Sequence, residues 1–239
     1  MRVLAIIPAF NEEETIASVI KELNEYRFID IIVINDGSDD NTYAITHSLN
    51  VNFVDFPLNK GIGTAMKVGY QFAKHNGYDI AVQIDADGQH DISRLNDLIL
   101  LIKENNYDMV IGSRYVVKTN YVSSFLRYWG SKYFTFLINV LSQKIIKDTT
   151  SGFRAVNKTI IKIFADNYPS YYPEVPTLLE LLMENYKICE TSVEMKKRQG
   201  GKSSISFAKS IKYLFEISFI CVKKWSLIKK RIKDERITN

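Results

Sequence analysis

The stretch Ile84–Asp91, with the sequence IDADGQHD, places three carboxylates, Asp85, Asp87 and Asp91, within seven residues directly after an apolar run. Like charges at this spacing repel one another, and burial makes ionised carboxylates costly unless a cation compensates them. Divalent Mg²⁺ or Mn²⁺ takes oxygen ligands, often one or two carboxylates together with the phosphates of a substrate. The stretch therefore predicts either a divalent-metal site or a solvated turn.

Two further polar clusters follow apolar runs near the N-terminus. Asn11–Glu14 comes directly after the run 3–10, and Asp36–Asp40 comes after the run 29–35. Such runs are typical of strands that are buried on both faces. Taken singly, the clusters fit a helix N-cap at Asn11 and a polar turn. Their repetition after successive strands favours a shared site, because ligands of parallel α/β sheets bind at the carboxyl ends of the strands.

The elements that must position these clusters alternate in type along the first half of the chain. Segments with helical spacing of apolar residues separate the strands, and the connections are short. The predicted strands cover residues 3–10, 29–35, 51–56, 79–85 and 107–113. This order predicts an α/β fold with a mostly parallel central sheet and helices on both faces. No G-x-G-x-x-G motif follows the first strand, so the sequence does not favour a dinucleotide-dependent dehydrogenase.

Composition and charge indicate a globular protein with one basic end. The 239 residues are 46% apolar and 24% charged, as in folded domains. Residues 201–239 hold ten Lys or Arg against three acids, a net +7, so that residues 1–200 carry −3 of the total of +4. A basic end indicates an anionic partner such as membrane lipid or nucleic acid. The two cysteines fit a reducing compartment, and we expect neither a signal peptide nor a membrane span.

Two segments have the pattern of amphipathic helices that lie in a membrane interface. Residues 121–146 are rich in aromatic residues and contain few charges, whereas residues 207–233 combine apolar positions with lysines. The apolar face of such a helix enters the headgroup region while its lysines meet anionic lipid. Core helices, or a docking site for a partner protein, would give a similar pattern.

Five motifs, in this order, resemble those of the family-2 inverting glycosyltransferases: PAFNEEETI, VINDGSDDNT, NKGIGTAMKVGY, IDADGQHD and IGSRY. Three later ones, DTTSGFRAVNK, EVPTLLELL and KKRQGGKSSIS, are similar to the dolichyl-phosphate-mannose-synthase-like branch, which transfers a sugar to a polyprenyl phosphate. The resemblance covers roughly residues 2–206. It implies the nucleotide-diphospho-sugar transferase (GT-A, Rossmann-like) fold, with a catalytic domain at 1–206 and a basic, membrane-associating C-terminal helix and tail at 207–239.

The same resemblance implies roles for individual residues on the donor side. Mg²⁺ or Mn²⁺ is the implied cofactor, and its ligands are Asp85, Asp87 and Gln89. His90 is expected to be a structural neighbour of the metal rather than a ligand, because these metals prefer oxygen. The implied contacts of the donor nucleotide are Pro8, Phe10, Glu12, Asp36, Lys60 and Asp85. Many relatives have a carboxylate pair where this chain has Asn35-Asp36, so only Asp36 is assigned to the base.

The chemistry of the acceptor determines what else the site needs. A phosphate monoester is already anionic at neutral pH, so it needs no general base and needs cations that hold it near the electrophile. The resemblance assigns Arg114, Arg127 and Ser131 to the donor and acceptor phosphates, and Lys202 lies in a glycine-rich stretch that could close over the donor. With Asp87, the two arginines form the expected catalytic set. Asp148 and Arg154, in the motif DTTSGFR, are expected to have structural roles.

We therefore predict a metal-dependent inverting glycosyltransferase. It would move one sugar from a UDP- or GDP-sugar to an undecaprenyl- or dolichyl-type polyprenyl phosphate, and would be peripherally bound to the cytoplasmic face of the cell membrane. A small membrane protein as anchor is one hypothesis, and no nucleic-acid partner is expected. One alternative is transfer to a saccharide hydroxyl in surface polysaccharide synthesis, which requires a carboxylate base such as Glu180. Another is a non-catalytic membrane scaffold that binds nucleotide sugars.

Overall fold

The structure is a computed structural model that describes residues 1–117, 125–196 and 207–238. In these residues the strands are β1 Val3–Ala9, β2 Ile29–Asn35, β3 Asn52–Asp55, β4 Ile80–Gln83, β5 Met109–Ser113, β6 Arg154–Asn157 and β7 Ile188–Ser192. The α-helices are α1 Ile16–Asn24, α2 Thr42–Ser48, α3 Ile62–His75, α4 Leu95–Asn105, α5 Phe125–Ser142, α6 Lys158–Asn167, α7 Glu174–Met183 and α8 Phe207–Thr238. A short 3-10 helix, Ile92–Arg94, leads into α4.

The seven described strands form one sheet in the order β3-β2-β1-β4-β6-β5-β7. All neighbours pair in parallel except β6, which is antiparallel to both β4 and β5. The prediction of a mostly parallel sheet in an α/β fold is confirmed. The antiparallel β6 lies beyond residue 113, where the strands predicted from the alternating pattern end.

Two apolar layers cover the sheet, because successive residues of each strand point to opposite faces. On β1, Leu4 and Ile6 pack with residues of α3, α6 and α7, whereas Ala5 and Ile7 pack with residues of α1 and α4. All four side chains are fully buried. This explains the continuous apolar run at the start of the sequence, since a strand buried on both faces has no solvent-facing position.

Helix α1 begins later than the sequence predicts. Asn11 is not its N-cap; the residue has a φ of 56° and lies in a turn, and the helix starts after Thr15. The backbone N–H of Asn11 donates to Ser38 Oγ at 3.0 Å, and its Oδ1 accepts from the N–H of Asp39 at 2.8 Å. Asparagine tolerates this left-handed conformation better than most residues. In this conformation Asn11 forms the hydrogen bonds that connect the segments after β1 and β2.

Helix α8 packs along the outside of α5 and α7. Ile217 and Cys221 are fully buried in the core between these helices, and Lys224 forms an ion pair with Glu180 of α7. Among the described helices, none combines the length and the apolar character that crossing a bilayer would need. The division of the chain at residue 206 stays a prediction.

Gly63→Ala is expected to lower the free energy of unfolding by at least about 2 kcal/mol, as overpacked sites do. Gly63 lies in the first turn of α3, where an added Cβ would be 2.1 Å from the carbonyl oxygen of Pro169 and 2.5 Å from the backbone of Ser170. Relief requires a shift of the connection between α6 and α7. Urea denaturation of the purified variant measures the loss.

Gly130→Ala, in α5, is the matched control for Gly63→Ala. An added Cβ at Gly130 meets no atom within 4 Å. Replacing a helical glycine by alanine in open space stabilises a protein by about 0.5–1 kcal/mol. Equal losses for the two variants would contradict the close approach of α3 to the backbone at Pro169.

Candidate active site

The three polar clusters meet at one edge of the sheet. Strands β2, β1 and β4 are neighbours and parallel, so their carboxyl ends lie side by side. The N–H of Asp36 donates to the carbonyl of Ala9 at 2.8 Å, and the N–H of Ile84 donates to the carbonyl of Ile6 at 3.0 Å. The convergence predicted from the sequence is confirmed.

The segment that follows β4 turns sharply and carries the three predicted metal ligands. Gly88 has a φ of 71°, a conformation that glycine adopts without strain. One oxygen of Asp87 accepts from the N–H of Gln89 at 3.0 Å. The side-chain nitrogen of Gln89 donates to the carbonyl of Lys196 at 3.4 Å, which leaves its amide oxygen as a neutral ligand atom.

His90 holds the third predicted ligand, Asp85, in place. Its Nδ1 accepts from the backbone N–H of Asp85 at 3.1 Å, so the ring proton is on Nε2, which lies 3.3 Å from Asp85 Oδ2. The imidazole is buried and stacks on Phe153 with ring centroids 4.9 Å apart. The structure thus gives His90 the structural place beside the acidic motif that the sequence analysis expects.

The other oxygen of Asp85, Oδ1, is buried and has no hydrogen-bond partner among the described residues. The same holds for both amide atoms of the buried Gln83, and Gly152 packs so closely that an added Cβ would lie 3.1 Å from Gln83 Nε2. Burial alone would raise the pKa of Asp85, but the contact with His90 and the charge of Arg114 outweigh it and lower the pKa. The carboxylate is therefore ionised, and it has one buried oxygen without a hydrogen-bond donor among the described residues, as suits a ligand of a cation.

Asp36 holds the glycine-rich turn that opens α3. Its two carboxylate oxygens accept from the N–H groups of Lys60 at 2.7 Å and Gly61 at 2.9 Å. Burial raises the pKa of Asp36, and these two amides partly offset that effect. The ammonium of Lys60 lies 4.9 Å from the centre of the Phe56 ring. Asp36 thus has a clear structural contact, and its contact with a nucleotide base stays a prediction.

The remaining predicted donor residues surround the end of β1. Pro8 is half-buried within the strand, and the Phe10 ring that follows is 39% exposed, which leaves an apolar face open to a ligand. The carboxylate of Glu12 accepts from the Thr15 hydroxyl at 3.1 Å, and its N–H donates to the Thr42 hydroxyl at 2.8 Å. Their assignment to base and ribose stays a prediction.

Arg114, directly after β5, is locked by a buried carboxylate. Its Nε lies 2.7 Å from Asp148 Oδ2 and its NH2 lies 2.6 Å from Oδ1, so the two groups form a two-point ion pair. The N–H of Arg114 donates to the same Oδ2 at 3.0 Å. Burial alone would raise the pKa of Asp148, but the hydrogen bonds and charge of Arg114 outweigh it and lower the pKa. The arginine is therefore fixed in place before any ligand arrives.

The predicted acceptor residues are only partly described. Ser131 is buried on α5, and its hydroxyl lies 3.0 Å from that of Thr150, which in turn accepts from Arg114 at 2.7 Å. Arg127 lies in the first turn of α5, but its side chain is outside the described residues, as is Lys202. The structure thus brings Ser131 into contact with the Arg114 network and leaves the other two cations as predictions.

Two further residues near this site, Arg154 and Glu190, hold the backbone that leads into β6. Arg154 is fully buried and donates to the carbonyls of Thr149, Ser151 and Glu174. Glu190 accepts from the N–H groups of Lys147 and Asp148, at 2.7 Å and 2.8 Å. For Arg154, the signal in the sequence is the density of polar residues in 148–154. Glu190 has no such signal, because it lies on an edge strand of half-buried residues without a distinguishing motif.

Two glutamates on α7 differ in their surroundings. Glu180, the predicted candidate base for a hydroxyl acceptor, is paired with Lys224 of α8 instead of facing the acidic motif. Glu174, at the start of α7, has a pKa that burial raises, with a further rise from the charge of Asp85 and an opposing effect of Arg154. The structure therefore assigns Glu180 an interhelical contact.

Asp148→Asn is expected to destabilise the protein by about 3 kcal/mol at pH 7, because it leaves the Arg114 charge without its buried partner. The pKa of Asp148 is lowered in the folded state, so the stability from the ion pair is present above about pH 4 and is lost as the pH falls through the folded pKa. The difference from the wild type should therefore shrink on acidification, as measured by urea denaturation at several pH values.

Asp166→Asn serves as the matched control, since Asp166 pairs with Lys74 at 2.7 Å on the surface. Exposed pairs contribute at most about 1 kcal/mol. If the Asp148 and Asp166 variants lose the same stability, the buried pair does not have the role given to it here.

Comparisons with known proteins give the family of the chain. The model of Glycosyl transferase family 2 matches residues 4–164. The UDP-N-acetylglucosamine–dolichyl-phosphate N-acetylglucosaminyltransferase of Methanococcus voltae is 32% identical over 179 residues, which cover 67% of this chain and 71% of that protein. The polyprenol monophosphomannose synthase of Mycolicibacterium smegmatis is 25% identical over 240 residues, which cover 91% of this chain and 86% of that protein.

A solved structure shows the same fold. Glucosyl-3-phosphoglycerate synthase from Mycobacterium tuberculosis, in complex with Mn²⁺, UDP and phosphoglyceric acid, superposes with a TM-score of 0.69 at 18% identity, over 95% of this chain and 78% of that one. At this identity the likeness concerns the fold alone, and it confirms the predicted GT-A fold. The chain belongs to glycosyl transferase family 2, in its dolichyl-phosphate-mannose-synthase-like branch, and is a glycosyltransferase.

Proposed function

We propose that the protein transfers one sugar, with inversion, from a UDP- or GDP-sugar to a polyprenyl phosphate at the membrane surface. The observation that carries the proposal is the meeting of two groups of opposite charge at one sheet edge. Asp85 belongs to the acidic motif. Asp148 fixes the side chain of Arg114, and the charge of Arg114 helps to lower the pKa of Asp85. Two relatives support the acceptor class: the name of the one from Methanococcus voltae includes dolichyl phosphate, and that of the one from Mycolicibacterium smegmatis includes polyprenol monophosphomannose.

The acidic motif suits a divalent cation. Asp85 has an ionised, buried oxygen without a partner among the described residues, and Gln89 has an amide oxygen to offer. Among the described residues, no three His, Cys, Asp or Glu side chains form a group that could hold a metal ion by themselves. We therefore propose that Asp85, Asp87 and Gln89 hold Mg²⁺ or Mn²⁺ only together with the phosphates of the substrate, which supply the remaining ligands. When bound, the ion would neutralise the charge that develops on the departing nucleoside diphosphate.

The cationic side of the site suits an anionic acceptor. Arg114 presents a guanidinium whose orientation is fixed by Asp148, and Ser131 connects to it through Thr150. A phosphate acceptor requires positive charge and hydrogen-bond donors, and no proton has to be removed from it. A saccharide hydroxyl would require a carboxylate base, and Glu180 is held by Lys224. The pairing of Glu180 therefore favours the lipid phosphate over the hydroxyl acceptor.

An apolar face on α5 and α8 suits a membrane surface. On α5, large exposed side chains recur at helical spacing: Trp129, Tyr133, Phe136 and Val140. On α8 the corresponding residues are Phe215, Phe219 and Val222. The Tyr133 hydroxyl lies 2.8 Å from that of Ser218, so the two helices lie side by side. We propose that this face enters the headgroup region on the cytoplasmic side, where exposed lysines of α8 would meet anionic lipid.

Asp87→Ala is expected to reduce transfer by at least about 100-fold, because the leaving diphosphate loses its charge compensation. The assay incubates protein and bacterial membranes with radiolabelled UDP-glucose, UDP-N-acetylglucosamine or GDP-mannose, and then extracts with organic solvent. Label should enter the lipid phase with one donor, and chelation of divalent metal should abolish it.

Asp97→Asn is the control for this assay, since Asp97 forms a surface pair with Arg94 and should leave transfer unchanged. Label that enters only a water-soluble polymer would favour the hydroxyl acceptor. Wild-type protein that binds a nucleotide sugar but labels nothing would favour the non-catalytic scaffold and overturn the proposal.

Replacing Phe215 and Phe219 together by Ser is expected to weaken binding to anionic liposomes at least about tenfold, because each exposed phenyl ring contributes free energy on burial in the headgroup region. Co-sedimentation with vesicles of phosphatidylglycerol and phosphatidylethanolamine measures this binding. Phe28→Ser is the matched control, since Phe28 is 51% exposed just before β2, at the opposite edge of the sheet. Equal binding of both variants and the wild type would rule out this face.

A further inference from the structure

A chain of hydrogen bonds joins Arg114 to Ser131 through Thr150, a residue to which no role has been assigned. Arg114 NH2 lies 2.7 Å from Thr150 Oγ1, and Thr150 Oγ1 lies 3.0 Å from Ser131 Oγ. Arg114 follows β5, Thr150 precedes β6 and Ser131 belongs to α5, so the chain crosses three separate elements. It connects two residues, Arg114 and Ser131, that are both assigned to the phosphates that meet in the site.

The chemistry of the three groups fixes the direction of this chain. A guanidinium has only donors, so Thr150 Oγ1 must accept from Arg114. The threonine hydrogen is then available to Ser131 Oγ at 3.0 Å, in preference to Asp148 Oδ1 at 3.4 Å. Ser131 Oγ therefore accepts, and its own O–H is left to donate onward. The chain starts at a positive charge and ends at a donor, which polarises each bond in the same sense.

The backbone around Thr150 is held on both sides. Before it, Glu190 accepts from the N–H groups of Lys147 and Asp148. After it, the Ser151 hydroxyl donates to the carbonyl of Gly112 at 2.6 Å, and Arg154 donates to the Ser151 carbonyl at 2.8 Å. The position of the Thr150 hydroxyl is thus determined by strands β5, β6 and β7 rather than by α5.

We propose that Thr150 is a positioning residue that aims the Ser131 hydroxyl at the acceptor phosphate and couples that contact to Arg114. The inference rests on the proposed polyprenyl-phosphate acceptor. A terminal donor backed by a guanidinium favours an oxygen that carries negative charge and no hydrogen, so the chain also contributes to the preference for a phosphate over a neutral hydroxyl. Thr150 would act through Ser131 without touching the sugar.

Thr150→Val keeps the shape of the side chain and removes both hydrogen bonds. We expect the KM for undecaprenyl phosphate in detergent micelles to rise about tenfold, with the donor KM changed less than twofold. The donor is whichever of UDP-glucose, UDP-N-acetylglucosamine and GDP-mannose supports turnover by the wild type. Thr150→Ser retains the hydroxyl and should restore the acceptor KM to within about twofold of the wild-type value.

Two comparisons separate this role from a merely structural one. Thr135→Val, on α5, removes a hydroxyl whose neighbours lie at 3.4 Å and 3.5 Å, and it should leave the acceptor KM unchanged. In a Ser131→Ala background, Thr150→Val should add less than twofold, because its effect passes through Ser131. Thr150→Ala provides the same test should the valine variant fold poorly, as judged by thermal unfolding.

Each other outcome is decisive. Equal rises in donor and acceptor KM, full additivity with Ser131→Ala, or no rescue by Thr150→Ser would overturn the role of Thr150 while leaving the reaction intact. Wild-type protein that transfers no sugar to undecaprenyl phosphate with any of the three donors would instead overturn the proposed acceptor, and this inference with it.

Discussion

A carboxylate without water around it stays ionised only where N–H donors and positive charge replace the solvent. Asp148 is fully buried and meets this condition through Arg114, which supplies a two-point ion pair and a backbone N–H. The arrangement orders both partners at once: the arginine loses its rotational freedom, and the turn before β6 is tied to the end of β5. The phosphate-facing chemistry proposed for the site depends on that order, since a pre-oriented guanidinium binds an anion without paying for immobilisation.

The antiparallel strand β6 explains how this turn reaches the site. In a parallel sheet, the carboxyl ends of β4 and β5 lie at the edge where ligands bind. Because β6 runs the other way between them, its first residue, Arg154, pairs with Gln83 near the end of β4 and with Ile111 of β5. The residues just before β6 therefore arrive at the same edge as the acidic motif. A parallel strand in this position would deliver them to the opposite edge.

Much of the fold could be predicted from the sequence because it depends on local patterns. Strand β2 has the predicted bounds, Ile29–Asn35, since an uninterrupted apolar run leaves little choice. The start of α1 was wrong, because a cap-like sequence at Asn11 also suits a left-handed turn, and the contact with Ser38 that favours the turn comes from a different strand end. Local sequence carries no information about such a contact.

In the candidate site, too, the residues that are close together in the sequence can be predicted, and the contacts between distant residues cannot. Asp85, Asp87 and Gln89 are recognisable because they are close in sequence and follow a strand. The contacts that fix the site, such as the stacking of His90 on Phe153 or the hydrogen bond from the N–H of Asp148 to Glu190, join residues that are 42 to 63 positions apart. Nothing in the spacing of these residues points to their pairing. A sequence therefore predicts the groups that do chemistry more readily than the groups that hold them still.

Helix α5 carries Ser131 on its buried side and Trp129 and Tyr133 on its exposed side. An α-helix is about 10 Å across, so the serine hydroxyl and the aromatic rings are separated by roughly the width of one helix. If the rings rest among lipid headgroups, a phosphate that reaches Ser131 must rise by about that distance out of its own leaflet. The first carbon atoms of the prenyl chain must then follow it past α5. The thickness of a single helix would thus set how far the enzyme draws its lipid out of the bilayer.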